Sequence, residues 1–351
     1  MKNVIFAGLS MAALCVAMPL AAQNNSSTVT QTGDLNDADV DQTGSGNTVT
    51  IDQISATDGT VGQIAITAQS GSGNTSDIDQ DGDGNNFTRT GQMGTNSLAM
   101  VEQTAASFAV TAIIDQGVDT DNNTGTIIQS DGRANGAQII QNGTGPGLGA
   151  NNFSSILQGD TTNIGGTAVF AETVGATNTQ SGQNNSSDIV QSGVSTSVGV
   201  NQIGDANISF VTQGDLGGDF NNGSVLQNGD GNQSGLFQSS DQNTGNISQI
   251  GDSNFAGVQQ GFVGGAATGG NRNSGTITQN GNRNRSSIFQ NDTLAGELNI
   301  AVTNQLGDDA VSTIIQDGTS NQAFVIQYEA SVSSITQTGT GNFADVTQGT
   351  P

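Results

Sequence analysis

Few side chains in this 351-residue sequence could do chemistry, and their types exclude most of it. There is no histidine, and the single cysteine, Cys15, lies in an apolar N-terminal stretch. A Ser-His-Asp triad or a zinc site of Cys and His ligands cannot be assembled from such a set. Asp308 and Asp309 could share acid and base roles, as two carboxylates do in glycosidases. Neighbours on a strand point to opposite faces, however, so the pair reads as a turn or surface feature. Asp79-x-Asp81-x-Asp83-Gly84 matches the opening of a calcium loop, but its twelfth position is Thr90 where Glu is required. Arg272, Arg283 and Arg285 lie close in sequence and are expected to pair with neighbouring Asp residues, with a receptor contact as the alternative use. Gly264-Gly265 lacks the Lys-Ser/Thr that completes a phosphate loop. No cofactor, no metal site and no enzymatic activity are expected.

The residue type that does recur is the amide. Gln, then Gly two residues on, Asn five on, Ala or Ser seven on and Gln eleven on recurs in nine copies, starting at Gln31, Gln69, Gln180, Gln202, Gln227, Gln249, Gln279, Gln316 and Gln337. Amides and glycines are poor catalysts, whereas a fixed spacing along a whole chain marks a repeat architecture. Stepping backwards from each Gln in twos gives Asn, a small residue, Val or Ile, then Gln, as in Asn185, Ser187, Ile189 and Gln191. Period two is strand spacing, so these four side chains share one face. The intervening Thr, Ser and Asp face solvent. Gly with Asp, Ser or Asn between strands is turn chemistry.

Strand plus turn takes eleven residues, from Gln31 to Gln42, so two halves close a coil of about 22. The expected fold is all-β: a β-solenoid with two short strands per coil, stacked into two facing parallel sheets in cross-β fashion. The length allows about 13–15 coils. The residues expected to stack are Asn25 with Gln31, Asn36 with Gln42, Asn47 with Gln53, Asn74 with Gln80, Asn185 with Gln191, and Asn207 with Gln213. Asn232 with Gln238, Asn254 with Gln260, Asn284 with Gln290, Asn321 with Gln327, and Asn342 with Gln348 complete the set. Stacked amides satisfy one another along the axis. The segments Gln53 to Gln69 and Gln103 to Gln116 are out of step. Longer insertions at 142–151, 160–179, 261–271 and 291–298 are expected in lengthened turns.

Composition agrees with stacking and not with a globular core. Hydrophobic residues make up 32% and aromatics 4%, with no Trp and one Tyr. Such a chain would be disordered unless buried area accumulates coil by coil. The net charge of −25 repels phosphate backbones and anionic lipid, so neither nucleic-acid nor membrane-surface binding is expected, and no second apolar run is long enough for membrane insertion. Lys2, the apolar run from Val4 to Val16 and Leu20-Ala21-Ala22 read as a secretory signal peptide over residues 1–22. Residues 23–351 then form one repeat domain that is secreted.

The spacing Gln-x-Gly-x-x-Asn-x-Ala-x-x-x-Gln resembles the curlin repeat of bacterial curli fibre subunits. The resemblance runs from Asn24 to Gln348. It implies a subunit that polymerises outside the cell into functional amyloid of the biofilm matrix, with a nucleator and a curli-type secretion machinery as partners. The sequence departs from the family in two ways. Asn25, Asn185 and Asn273 stand where the family often has Ser, and repeats begin almost at the cleavage site, where the family has a targeting segment. Alternatives are a minor, nucleating or accessory subunit, and a soluble solenoid adhesin or ice-binding module suggested by the pairs Thr28/Thr30 and Thr48/Thr50. A polysaccharide-active enzyme on a β-helix lacks a recurrent carboxylate cluster.

Overall fold

The computed structural model describes residues 24–55, 62–82, 85–107, 109–117, 121–130, 134–142, 151–159, 174–214, 218–261, 271–290 and 297–350. The proposed signal peptide and Cys15 lie outside them, as do Asp83, Gly84, Gly264 and Gly265. The described residues contain no helix and form two parallel sheets of thirteen strands each. Strands alternate between the sheets. The odd sheet holds β1 (Ser26–Thr32), β3 (Thr48–Ile54), β5 (Thr75–Gly82), β7 (Leu98–Ser107), β9 (Thr124–Gln129), β11 (Phe153–Gln158) and β13 (Ser186–Gln191). It continues through β15 (Ile208–Gln213), β17 (Gln233–Gln238), β19 (Phe255–Gln260), β21 (Arg285–Gln290), β23 (Val311–Thr319) and β25 (Val332–Thr340). The even sheet holds β2 (Asp37–Ser45), β4 (Ile64–Ser72), β6 (Phe87–Gln92), β8 (Thr111–Gln116), β10 (Gly136–Asn142), β12 (Gly175–Ser181) and β14 (Ser197–Ile203). It ends with β16 (Asn222–Asn228), β18 (Thr244–Ile250), β20 (Ser274–Asn280), β22 (Ile300–Gln305), β24 (Gln322–Gln327) and β26 (Phe343–Gln348). One odd and one even strand make a coil, so the solenoid has thirteen coils.

Each strand from β3 to β25 buries alternate residues, as period two requires. In β13, Ser187, Ile189 and Gln191 are buried while Ser186, Asp188 and Val190 are half-buried. The aliphatic position carries Ile, Val or Leu in most coils, and its twelve Ile and Leu side chains from Ile51 to Ile314 are fully enclosed. Burying one such side chain stabilises by about 1.5–3 kcal/mol, which a single coil cannot realise because its neighbours supply the cover.

Where the eleven-residue skeleton is complete, two left-handed residues turn the corner. One is the Gly two places after Gln: Gly182 has φ +121, and a Cβ there would sit 2.0 Å from the Gly204 carbonyl oxygen of the next coil. No other residue fits both that conformation and that approach. The second precedes the Asn and need not be Gly; Ala206, Ser253 and Arg283 hold it at φ 57, 59 and 57.

The strands that flank the out-of-step segments keep their register. Gln53 and Gln69 are sixteen apart in sequence, yet they end β3 and β4 and occupy their rungs in register. Of the apolar run 108–114, Thr111 to Ile114 belong to β8, whose residues pair one to one with β10. The insertion expected at 160–179 is shorter than its sequence reading, because Gly175 to Thr179 belong to β12. There Asn178 takes the aliphatic place, which hid the strand from the pattern. Coil length, measured from one ladder Gln to the next, runs from 21 to 39 residues.

Candidate assembly site

The buried glutamines form one continuous ladder in each sheet. In the odd sheet it runs through Gln31, Gln53, Gln80, Gln103, Gln129, Gln158, Gln191, Gln213, Gln238, Gln260, Gln290, Gln316 and Gln337. In the even sheet it runs through Gln42, Gln69, Gln92, Gln116, Gln141, Gln180, Gln202, Gln227, Gln249, Gln279, Gln305, Gln327 and Gln348. Every rung is an Nε2 donating to the next Oε1 at 2.7–3.0 Å. The second N–H crosses to the opposite sheet, as Gln213 Nε2 does to the Ser197 carbonyl at 3.1 Å. A buried amide costs free energy only when its bonds are unmade, and both donors are used here.

The ladders are polar. Each Nε2 points to the coil on its C-terminal side, so the first rungs, Gln31 and Gln42, use their donors and offer bare Oε1 acceptors. The last rungs, Gln337 and Gln348, reach only the carbonyls of Gln322 and Val332 and each keep one N–H to give. Among the described residues nothing pairs with the outer edge of β1, β2, β25 or β26. All of β1 is exposed, and β26 alternates exposed with half-buried residues.

Asparagine makes the expected amide-on-amide bond in some coils and has a second job besides. Its Oδ1 accepts the backbone N–H of the residue one coil on, as Asn185 does from Asn207 at 3.0 Å. Its Nδ2 reaches a corner glycine carbonyl, Gly204 for Asn185 and Gly229 for Asn207. The pattern holds from Asn25 and Asn47 through Asn74. It recurs for Asn207, Asn232 and Asn254, whereas Asn284 keeps the Oδ1 bond, from the Ala310 N–H, and its Nδ2 has no hydrogen-bond partner among the described residues. Asn321 and Asn342 close it at the other end, and Asn36 meets Gln63 in the same way. Side chain-to-side chain bonds join some of them, such as Asn232 to Asn207 at 3.1 Å. Asn is thus the clamp between a corner and a strand, and Gln is the ladder.

Glutamines 92, 129, 141, 158 and 305 belong to the ladders although no skeleton starts on them. Their signal lies in the preceding half-repeat: Asn152-x-Ser154-x-Ile156-x-Gln158 is complete in itself. An insertion after a Gln breaks the eleven-residue spacing but leaves these seven residues whole.

The charged groups lie apart from the ladders. Asp308 Oδ1 accepts the Asn282 N–H at a corner. Asp309 pairs with Arg283 at 2.7 Å, and that hydrogen bond holds the carboxyl below its usual range and the guanidinium above its own. Arg272 pairs with Glu297 at the opposite corner, so the three arginines do not form one cluster. Arg285 stands on the outer face of β21 over the Phe255 ring, 5.3 Å from its centre. Asp79 faces outward between Asp52 and Glu102 on the neighbouring rungs. Burial first, then those two groups, Asp81 and Asp77, push its carboxyl above the usual range. The outward Thr array ends at once: Thr28 stacks on Thr50, but Thr50 stacks on Asp77.

The family model for the curlin associated repeat matches residues 22–54, the stretch that folds into β1, β2 and β3. Over these residues the chain is similar to the curlin associated repeat. Comparison with curated proteins gives no match. The same half-repeat that the matched stretch contains builds the later coils, and the described residues form one continuous solenoid. Repeat and fold together fit a curli-type structural subunit.

Proposed function

We propose that this chain is a secreted structural subunit that self-assembles head to tail into curli-like amyloid fibres of an extracellular matrix. The observation that carries the reading is the polarity of the ladders. Stacking β1 of one copy on β25 of another sets the Gln31 acceptor over the Gln337 donor. Stacking β2 on β26 sets Gln42 over Gln348, and the Asn36 N–H over the Asn342 Oδ1. Such a contact is heterologous and repeats without closing, which generates a fibre. Exposed strand edges template this pairing, and the axial repeat is about 4.7–4.8 Å per rung.

In this reading the paired Asn and Gln residues are the assembly site, residues 1–22 direct export, and a nucleator and a curli-type secretion machinery act as partners. The negative corners keep the chain dispersed until it is outside the cell. The test is electron microscopy and fibre diffraction of the mature chain after dilution from denaturant, with and without preformed seeds. Fibres with a cross-β reflection and a lag abolished by seeds are expected. A chain that stays monomeric for days sinks the reading.

A further inference from the structure

The outer face of the odd sheet from β11 to β23 differs from the rest of the surface. Each strand there shows its first, third and fifth residues to solvent. In the N-terminal coils the corresponding residues include Asp52, Asp77, Asp79 and Glu102. From β11 to β23 only two are charged, Asp188 on β13 and Arg285 on β21. The others include Phe153, Phe210, Phe237 and Phe255, each about two-fifths or more exposed at 41%, 47%, 44% and 39%. An uncharged aromatic face of this size on a chain of net charge −25 marks an interaction surface. At its centre Gly235 and Gly257 floor a cavity of about 330 Å³ walled by Phe210, Phe237, Phe255 and Phe289.

The order of residues on this face is self-complementary. A two-fold axis lying in the face, parallel to the strands and passing through β17, exchanges β15 with β19, β13 with β21, and β11 with β23. It sets Phe210 of one copy opposite Gly257 of the other, a ring against a hollow. It sets Ile208 opposite Phe255, Val190 opposite Phe289, Leu157 opposite Ile315, and Phe153 opposite Val311. Phe237 meets Phe237 on the axis. Asp188 and Arg285 arrive on facing rungs, two residues apart along the strand, within reach of the long arginine side chain. Within one copy, Arg285 makes no ion pair among the described residues. Asp188, pushed above the usual carboxyl range by burial, also lacks a cationic partner.

We infer that the odd sheet's outer face, centred on Gly235, docks a second copy of this chain face to face through a two-fold axis, with Phe210 in the Gly257 hollow and Asp188 facing Arg285. Seven strands about 4.8 Å apart and six residues long cover about 670 Å² per copy, or about 1,300 Å² in all, the size of a stable specific interface. The contact is isologous, so it closes on a pair and leaves the strand edges free for axial growth. It explains why Asp188 is the one carboxylate at the first, third and fifth positions of these strands: facing sheets of like charge would repel.

The test is disulfide trapping. Phe210→Cys and Gly257→Cys are made separately in chains carrying Cys15→Ser and mixed under mild oxidation. The two positions stand on strands two rungs apart, about 9.6 Å, beyond disulfide reach within one chain. Rapid formation of a cross-linked dimer is expected. The control pair Ser224→Cys with Thr276→Cys, at the same spacing on the even sheet, should cross-link at least tenfold more slowly. Equal rates for the two pairs, or no dimer from the first, overturn the inference. Gly257→Leu supplies a second readout, because the nearest atom to its Cβ is 4.0 Å away and the fold has room for it. Paired filaments should become single, and retention of pairing counts against the proposal. Asp188→Arg or Arg285→Asp alone should weaken pairing, and the two together should restore it. Fibres without the cross-link defeat this inference alone. A cross-linked dimer without fibres defeats the head-to-tail reading alone.

Discussion

Residue identity in this fold is set by bonds that run along the axis. Gln227 is fully buried, accepts from Gln202, donates to Gln249 and reaches the Ile208 carbonyl. Gln227→Ala strands the Gln202 donor and the Ile208 carbonyl in the core, and each unmade bond costs about 1–3 kcal/mol. Fibre dissolution by guanidinium should show a loss of about 2–4 kcal/mol; a loss under about 0.5 kcal/mol would mean the ladder relaxes around the gap. Gly229→Ala should cost at least as much, because a Cβ at φ +129 would lie 2.2 Å from the Gly251 carbonyl oxygen. Titration acts at this scale too. Burial and four neighbouring carboxylates disfavour the charged form of Asp79, so its folded pKa lies above the unfolded one. Its contribution is fully present below the unfolded value and is lost as pH rises through the folded one. Asp79→Asn should therefore be more stable than the wild type at neutral pH and equal to it at about pH 3, read as guanidinium midpoints. The same advantage at both pH values would point to packing instead of charge.

At the scale of the strand, the half-repeat Asn-x-small-x-aliphatic-x-Gln was legible because its residues are held by the neighbouring coil, whatever the corner does. The corners were less legible. The number of residues between strands varies while each strand keeps its own register, so spacing is kept within a strand and lost between strands. Strand β12 shows the other limit: Asn178 in the aliphatic place bonds Ser154 in the opposite sheet, a pairing that one strand's sequence does not announce. Hydroxyls also interrupt the core at one level. Ser76 Oγ lies 2.8 Å from Thr90 Oγ1, which donates to Thr67 at 3.0 Å. This belt divides a small cluster of Val49, Ile51, Ala65 and Ile78 from the continuous cluster that begins at Ala99. Hydroxyl contacts supply less burial than the Ile they replace, so the N-terminal coils should open as a unit of lower stability. Hydrogen exchange should protect amides of β1 to β4 at least tenfold less than those of β13 to β19. Uniform protection would show that the belt transmits cooperativity as well as the aliphatic stack does.

For the whole molecule the repeat is both scaffold and interface, and that distinguishes its ends from its middle. A mid-stack Gln has its ladder bonds already made within one chain. A terminal Gln has a bond to make only when another copy arrives. Gln31→Ala removes the acceptor for Gln337 of the next copy, and Gln348→Ala removes the donor for Gln42. Both lie on rungs where half of the partner set comes from outside, so their fold cost is smaller than that of Gln227→Ala while their cost to docking is larger. Elongation on wild-type seeds should slow at least fivefold for either terminal variant. It should change less for Gln227→Ala, whose loss appears in dissolution. The polarity sharpens the test: seeds of Gln348→Ala should still extend from the end that presents Gln31 and fail at the other, which single-fibre imaging reads directly. Equal elongation at both ends, or equal slowing for Gln31, Gln227 and Gln348, would mean that growth does not run through the ladder ends.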